Sequence, residues 1–509
     1  WYGMQARAQS FRYLGPRPPC LVIEDTPDYA HRGYYLDISR GKVPTLSTLQ
    51  RFAERLASLK INQLQLYVEH AFEFKFDPDI SAGSSPLTPG EIIELDAFCR
   101  DRYIDLVPSL ACFGHMGRVL SLPRYRKLAE VEWPAKDWDS STWRQRMKGC
   151  TIDSRDKRAR KLLSDMMDDF LPPFSSRFFN VCGDETYDLG KGKNAAFAAK
   201  HGLAPLYIEH IRFLREQARK HGKQIMFWGD VMLQHPESIR EIPSDCIALD
   251  WGYSPATRFE KTGAFIDAGL ASYVCPSVRG YKVIFNDVEE ARGNIAGYAR
   301  SGIEQGAAGL LNTDWGDLGH FNLHACSLHG MGLGAALSWN AGGDGKEGFD
   351  KAFSFQFFQD RAGTTGRAFS EAGSTEIAHW PKMIEPEIDA KVDLEALKKC
   401  KAAKDSTSRW AGHFRRLKPS HLVGQNDLDQ LALACEAIGL TAEKTLLDSA
   451  RSARGKRMPA AVGKRLRTWG RDMDRFIRDY SEVWLAANKP HRLEEIRKRF
   501  NAVIRRAGA

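Results

Sequence analysis

The chain has 509 residues, 43% of them apolar and 27% charged, with a formal net charge of +9 at pH 7. That length fits either about three ordinary domains or one large barrel with additions, and no apolar run approaches the ~18 residues of a membrane-spanning helix. Roughly +13 of the charge falls in residues 391–509. In "RSARGKRMPAAVGKRLRTWGRDMDRFIRDY" the basic residues recur with apolar ones at helical spacing, as on a solvated amphipathic helix, so no nucleic-acid partner is expected.

The first stretch, "WYGMQARAQSF", has neither an initiating Met nor a positive-then-apolar leader, so it reads as part of a longer precursor and leaves localisation illegible. From about residue 31 short apolar or β-branched runs alternate with longer amphipathic ones. The predicted strands are "GYYLDIS", "INQLQLYVE", "YIDLVPSLA", "RFFNVCG", "QIMFWGD", "CIALDWGY", "SYVCPS" and "AAGLLNTDWGD". Predicted helices follow most of them, among them "TLSTLQRFAERLASLK", "TPGEIIELDAFCRDR", "LYIEHIRFLREQARKHG" and "DVEEARGNIAGYARSG". In the second of these Thr88 can cap, Pro89 suits the first turn and Glu91 completes a capping box.

Eight strand–helix steps predict an α/β fold, a (β/α)8 TIM barrel, over residues 31–345. Strand signals then vanish, and 346–509 reads as a helical C-terminal region. The ten cysteines show no CxxC spacing and are expected as buried free thiols.

Polar and aromatic residues gather at the predicted strand ends: Asp37, Glu69, His115, Asp184, Glu185, Trp228, Asp230, Trp251, Trp315 and Asp317. In a barrel these ends open on one face, where active sites are built. Trp228, Trp251 and Trp315, each followed by glycine, make an aromatic-walled pocket that suits the C–H faces of a sugar ring beside carboxylates. Metal ligand types occur at His70, His115, Asp184 and Asp230, but no HExxH spacing is present, and neither metal nor organic cofactor is expected.

The adjacent acids Asp184 and Glu185 are an awkward pair for a glycosidase with its own nucleophile, which needs two carboxylates ~5–5.5 Å apart across the scissile bond. The end of strand 7, "CPSVRG", offers no further carboxylate. A substrate that brings its own nucleophile, a neighbouring acetamide, removes the difficulty: one acid protonates the leaving oxygen while the other orients the acetamide. Gly183 would let the strand exit bend so that both side chains reach one cavity.

Four segments, "HRGYYLDISRGKVP", "CFGHMG", "FFNVCGDET" and "LLNTDWGD", resemble in order the signature motifs of the family 20 glycoside hydrolases, the β-N-acetylhexosaminidases. The resemblance also makes "WYGMQARAQSF" similar to the last helix of the small α/β domain that precedes such barrels, so residues 1–30 are expected as a remnant of that domain with its linker. It implies a retaining exo-β-N-acetylhexosaminidase acting on terminal β-linked GlcNAc or GalNAc of a glycan or glycoconjugate. Glu185 would be the acid and base, and Asp184 would hold the acetamide. Arg32 would bind the sugar hydroxyls O3 and O4, with Glu69 as its partner, and His115 would tune the acid pair. Trp228, Trp251 and Trp315 would wall the pocket, and Asp317 would meet O4 or O6. The family's acetamide-binding tyrosine after strand 7 has no match at the usual spacing; Tyr281 is the first candidate and Tyr273 the second. That departure leaves open a hydrolase for a sugar lacking the acetamide, or a carbohydrate-binding barrel without activity.

Overall fold

The computed structural model describes residues 1–15, 17–133, 145, 147–343, 347–374, 394–452 and 460–507. Eight parallel strands close into a barrel in sequence order, β1 pairing with both β2 and β8. They are β1 (His31–Asp37), β2 (Gln63–Val68), β3 (Asp105–Leu110), β4 (Phe178–Asn180), β5 (Gln224–Trp228), β6 (Ile247–Trp251), β7 (Ala271–Cys275) and β8 (Gly309–Asp314). All eight predicted strands form, because helices cover the outer surface and side chains fill the inside, so both faces of the strands are largely buried.

The predicted helices form as Leu46–Ser58, Pro89–Arg100, Leu203–Lys220 and Val288–Gln305. The Thr88–Glu91 capping box is present in both directions, with Glu91 N–H donating to Thr88 Oγ1 (3.1 Å) and Thr88 N–H to Glu91 Oε2 (2.8 Å). All ten cysteines are free thiols, and all except Cys20 are buried.

The first helix, Tyr2–Leu14, lies under the barrel, where Arg32 sits over the rings of Tyr2 and Trp339. At the other end of the chain, the helices Leu394–Arg416, Gln425–Ser452, Ala460–Leu485 and Leu493–Ala507 share one apolar core. Residues 453–459 of the basic stretch lie outside the described residues; the helix after them buries Leu466, Trp469, Met473, Phe476 and Tyr480 while presenting Lys464, Arg467, Arg471 and Arg478 to solvent. Among the described residues no helix is long and apolar enough to cross a membrane.

The connection between the last two helices reaches the barrel mouth. Lys489 N–H donates to Val43 O (2.8 Å), Thr45 N–H to Ala487 O (3.0 Å), and Lys489 Nζ bonds both Pro86 O (2.7 Å) and Glu91 Oε2 (2.8 Å). These bonds brace the loops after β1 and β2. The C-terminal helices therefore help to set the shape of the mouth.

Candidate active site

β4 is only three residues long, yet its pairing with β5 runs on through Val181 N–H to Met226 O and Trp228 N–H to Cys182 O, each 2.9 Å. The chain then leaves strand geometry: Cys182, Gly183 and Glu185 have φ of 60°, 92° and 49°. Left-handed residues break the alternation of side chains between faces, and both acids reach the same pocket. A Cβ on Gly183 would stand 2.9 Å from Tyr207 Oη, and one on Gly114 would stand 2.3 Å from Asp184 O. Gly183 supplies the turn, and Gly114 lets the β3 loop pass close enough to deliver His115.

His115 Nε2 lies 3.2 Å from Asp184 Oδ2 and 3.3 Å from Glu185 Oε2. Its N–H is aligned on neither oxygen, so the contact is an ion pair shared by both acids. Burial disfavours the imidazolium, but the charge of Asp184 and the contacts with both acids outweigh it and hold the ring well above its ordinary pKa. For Glu185, burial pushes upward, whereas contact with His115, the His115 charge, Tyr187 and Arg40 together bring its carboxyl down to about 2. Asp230, after β5, accepts the Glu185 N–H at 3.1 Å, and burial followed by the Asp184 charge raises its carboxyl to about 7.

Arg40, three residues past the end of β1, lies at the mouth. It pairs with Asp37 (3.0 Å), Asp317 (3.2 Å) and Glu69 (3.5 Å), and lies over the rings of Tyr67 and Trp315, 5.0 Å from each centroid. Asp37 is fixed in turn by the N–H groups of Ser39 (2.9 Å) and Gly316 (3.0 Å). Burial pushes the Glu69 and Asp317 carboxyls up, with Arg40 opposing.

Arg32 is not part of this mouth, and the expectation for it is corrected. It is the second residue of β1, so it sits at the N-terminal end of the barrel. There its guanidinium donates to the carbonyls of Tyr29 (2.7 Å), Lys60 (2.9 Å) and Ala30 (3.2 Å). Functional groups in this architecture collect at the C-terminal strand ends, and Arg40 is the arginine of the same motif that lies there. Glu69 is accordingly the partner of Arg40.

Trp228, Trp251 and Trp315 do converge, in different positions. Trp228 is fully buried and forms the floor, 5.9 Å from the Trp315 ring and 5.3 Å from Tyr35. Trp251 is half-buried on the side and stacks on Tyr253 at 5.0 Å. Trp315 Nε1 donates to Tyr253 Oη at 2.7 Å. Tyr281 lies at the rim, 6.0 Å from Tyr253 and under the Arg279 guanidinium. Tyr273 is excluded from the mouth: it stacks on His31 at 5.3 Å and fills the space over Gly309, at the opposite end of the barrel.

Sequence reasoning missed Arg40 and Tyr253. Arg40 stands in the quoted first-strand motif, and Tyr253 follows the second Trp-Gly pair, so position relative to the strand end was the available signal for both. The charge of Asp184 contributes to the raised pKa of the Tyr253 phenol, after burial and Cys275. Asp184 Oδ1 and Trp228 Nε1 are buried without a hydrogen-bond partner. A pocket that leaves acceptors and donors unpaired beside flat aromatic faces is built for a polar ligand that pairs with them. No group of three or more His, Cys, Asp or Glu side chains among the described residues is arranged to hold a metal ion.

Residues 29–266 match the catalytic domain of glycosyl hydrolase family 20. The chain is similar to a β-hexosaminidase of Porphyromonas gingivalis, with 22% identity over 46% of this chain and 33% of that one. It is also similar to human hexosaminidase D, with 24% identity over 40% of each. The chain thus spans between a third and two-fifths of the length of these two relatives. In fold it resembles the crystal structure of a β-N-acetylhexosaminidase from Bacteroides fragilis, with a TM-score of 0.55 and 17% identity over 70% of this chain and 77% of that one.

Proposed function

We propose that the barrel, whose residues 29–266 match the family 20 glycosyl hydrolase catalytic domain, is a retaining exo-β-N-acetylhexosaminidase using the substrate's acetamide as nucleophile. The observation that carries this reading is the pair Asp184–Glu185 on one strand end, both held by His115, with Asp184 Oδ1 buried and unpartnered. Asp37, Glu69 and Asp317 are engaged with Arg40, which suits an enzyme whose nucleophile comes from the sugar.

In the first step the acetamide oxygen attacks the anomeric carbon as the glycosidic bond breaks, and Glu185 gives its proton to the leaving oxygen. Asp184 accepts the acetamide N–H and stabilises the positive charge that develops on the oxazolinium ring. In the second step the Glu185 carboxylate takes a proton from water as that water attacks the anomeric carbon and restores the acetamide. Two inversions give net retention. Trp251, Trp315 and Tyr253 enclose the acetamide. Tyr253, whose oxygen already accepts from Trp315, has its own proton to offer the acetamide carbonyl, a role expected of Tyr281 from sequence.

Glu185 is ionised in the empty pocket, the form needed in the second step. Covering it with a sugar adds burial, which raises its proton affinity for the first step.

The test is turnover of p-nitrophenyl N-acetyl-β-glucosaminide and galactosaminide, with a thiazoline mimic of the intermediate soaked into crystals. Cleavage of an unsubstituted glycoside with both acetamido substrates inert, or a thiazoline bound away from Asp184 and Tyr253, overturns the reading. Within it, Arg40→Ala is expected to raise KM or lower kcat/KM by roughly 10- to 100-fold, as for a charged hydrogen bond to substrate. Arg32→Ala is expected to leave KM unchanged and to cost about 2–4 kcal/mol of stability, because the buried Tyr29 carbonyl and the half-buried Lys60 carbonyl lose a charged donor. Steady-state kinetics and thermal melts on the two variants separate the assignments.

A further inference from the structure

The structure assigns to Asp230 a positioning role in the proposed reaction: its carboxylate, by accepting the Glu185 amide proton, holds the acid's backbone in the left-handed conformation that aims the Glu185 side chain. This inference rests on the hexosaminidase reading for the reaction it serves, while the geometry stands independently. Glu185 has φ 49°, a conformation that costs a non-glycine residue roughly 1–2 kcal/mol and persists only where its surroundings impose it.

Two bonds impose it here. Asp230 Oδ2 accepts from Glu185 N–H at 3.1 Å, and Tyr187 N–H closes a tight turn onto Glu185 O at 2.7 Å. Asp230 is itself anchored two residues past the end of β5, where Trp228 N–H bonds Cys182 O and Tyr207 Oη donates to Trp228 O at 3.1 Å. The clamp therefore joins two strand ends already locked in register.

A third carboxyl beside Asp184 and Glu185 is electrostatically unfavourable. Burial and the Asp184 charge raise the Asp230 carboxyl, opposed by the Glu185 N–H and the Trp251 indole. A site that served packing alone would be better filled by an apolar side chain. An acceptor is needed at this point because the Glu185 amide faces the pocket instead of a neighbouring strand.

The test compares Asp230→Ala, which removes the acceptor, with Asp230→Asn, which keeps one. In the first step, which kcat/KM reports, a misaimed acid matters only where the leaving group needs a proton. Asp230→Ala is therefore expected to lower kcat/KM roughly 10- to 100-fold on a chitobiose-type substrate and far less on an activated aryl glycoside. Asp230→Asn should recover most of that loss. Equal losses on both substrates, or an Asn variant as impaired as Ala, overturn the proposal.

A crystal structure of Asp230→Ala decides the same point without turnover. Glu185 should relax from its left-handed φ and leave His115; an unchanged Glu185 conformation refutes the clamp. Wild-type protein inert toward every N-acetylhexosaminide would sink the hexosaminidase reading and leave this structural result to stand or fall separately.

Discussion

Glu185→Gln is expected to abolish measurable cleavage of glycosides with poor leaving groups, a loss of roughly 10²- to 10⁴-fold, while an activated aryl glycoside keeps a larger residual rate. Gln occupies the same volume and can still meet His115, but it has no proton to give the leaving oxygen and cannot accept one from water. Both steps are thus impaired. External azide should restore turnover of the activated substrate, since it attacks the intermediate without needing a base. Equal losses on both kinds of leaving group would refute the acid role.

The pH profile adds a second check. The Glu185 carboxyl is brought down to about 2 in the empty pocket, and kcat/KM reports the free enzyme. The alkaline limb of kcat/KM is therefore expected at lower pH than the limb of kcat, which reports the substrate-covered acid. Stability follows the same shift. A carboxyl with a depressed folded pKa contributes stability that is fully present above its ordinary value of 4.5 and is lost as pH falls toward about 2. Thermal melts across that window should show a shallower acid loss for Glu185→Gln than for the wild type.

Asp184→Asn is expected to lower kcat on N-acetylhexosaminides by roughly 10²- to 10³-fold, the scale of one lost electrostatic stabiliser of a developing charge. The substitution preserves shape and one acceptor but removes the negative charge next to the oxazolinium ring. It also removes half of the ion pair that raises His115. Wild-type rates should fall steadily as fluorines are placed on the acetyl group, because the attacking oxygen loses electron density. A rate indifferent to fluorination, or an Asn variant of undiminished kcat, would show that the acetamide is not the nucleophile.

Much of this was legible in the chain itself. The eight strands are short apolar runs between amphipathic helices, and local patterning specifies both. The Thr88–Glu91 cap involves residues three apart, so it could be read directly. The acids, His115 and the tryptophans were identifiable because each stands at or just past the end of a strand, and strand ends share one face in a barrel.

Arg32 and Arg40 show where that reasoning stopped. Both are arginines of one motif, eight positions apart, and composition does not distinguish them. Their roles follow from which end of β1 each occupies: one satisfies carbonyls beneath the barrel, and the other is drawn by three carboxylates at its mouth. Tyr253 and Tyr281 differ in the same way. A hydroxyl's partner is set by contacts between β6 and β8 that lie 62 residues apart in sequence.

The sequence by itself therefore determined the element order, the barrel and the chemical identity of the acid pair, since these depend on periodicity and on neighbours along the chain. Only the tertiary structure decided which arginine meets the carboxylates at the mouth and which tyrosine hydroxyl meets Trp315. It also decided that Glu185 is turned into the pocket by a carboxylate from the next strand. Charge pairing and side-chain direction are set by distances across strands, and those distances exist only once the barrel has closed.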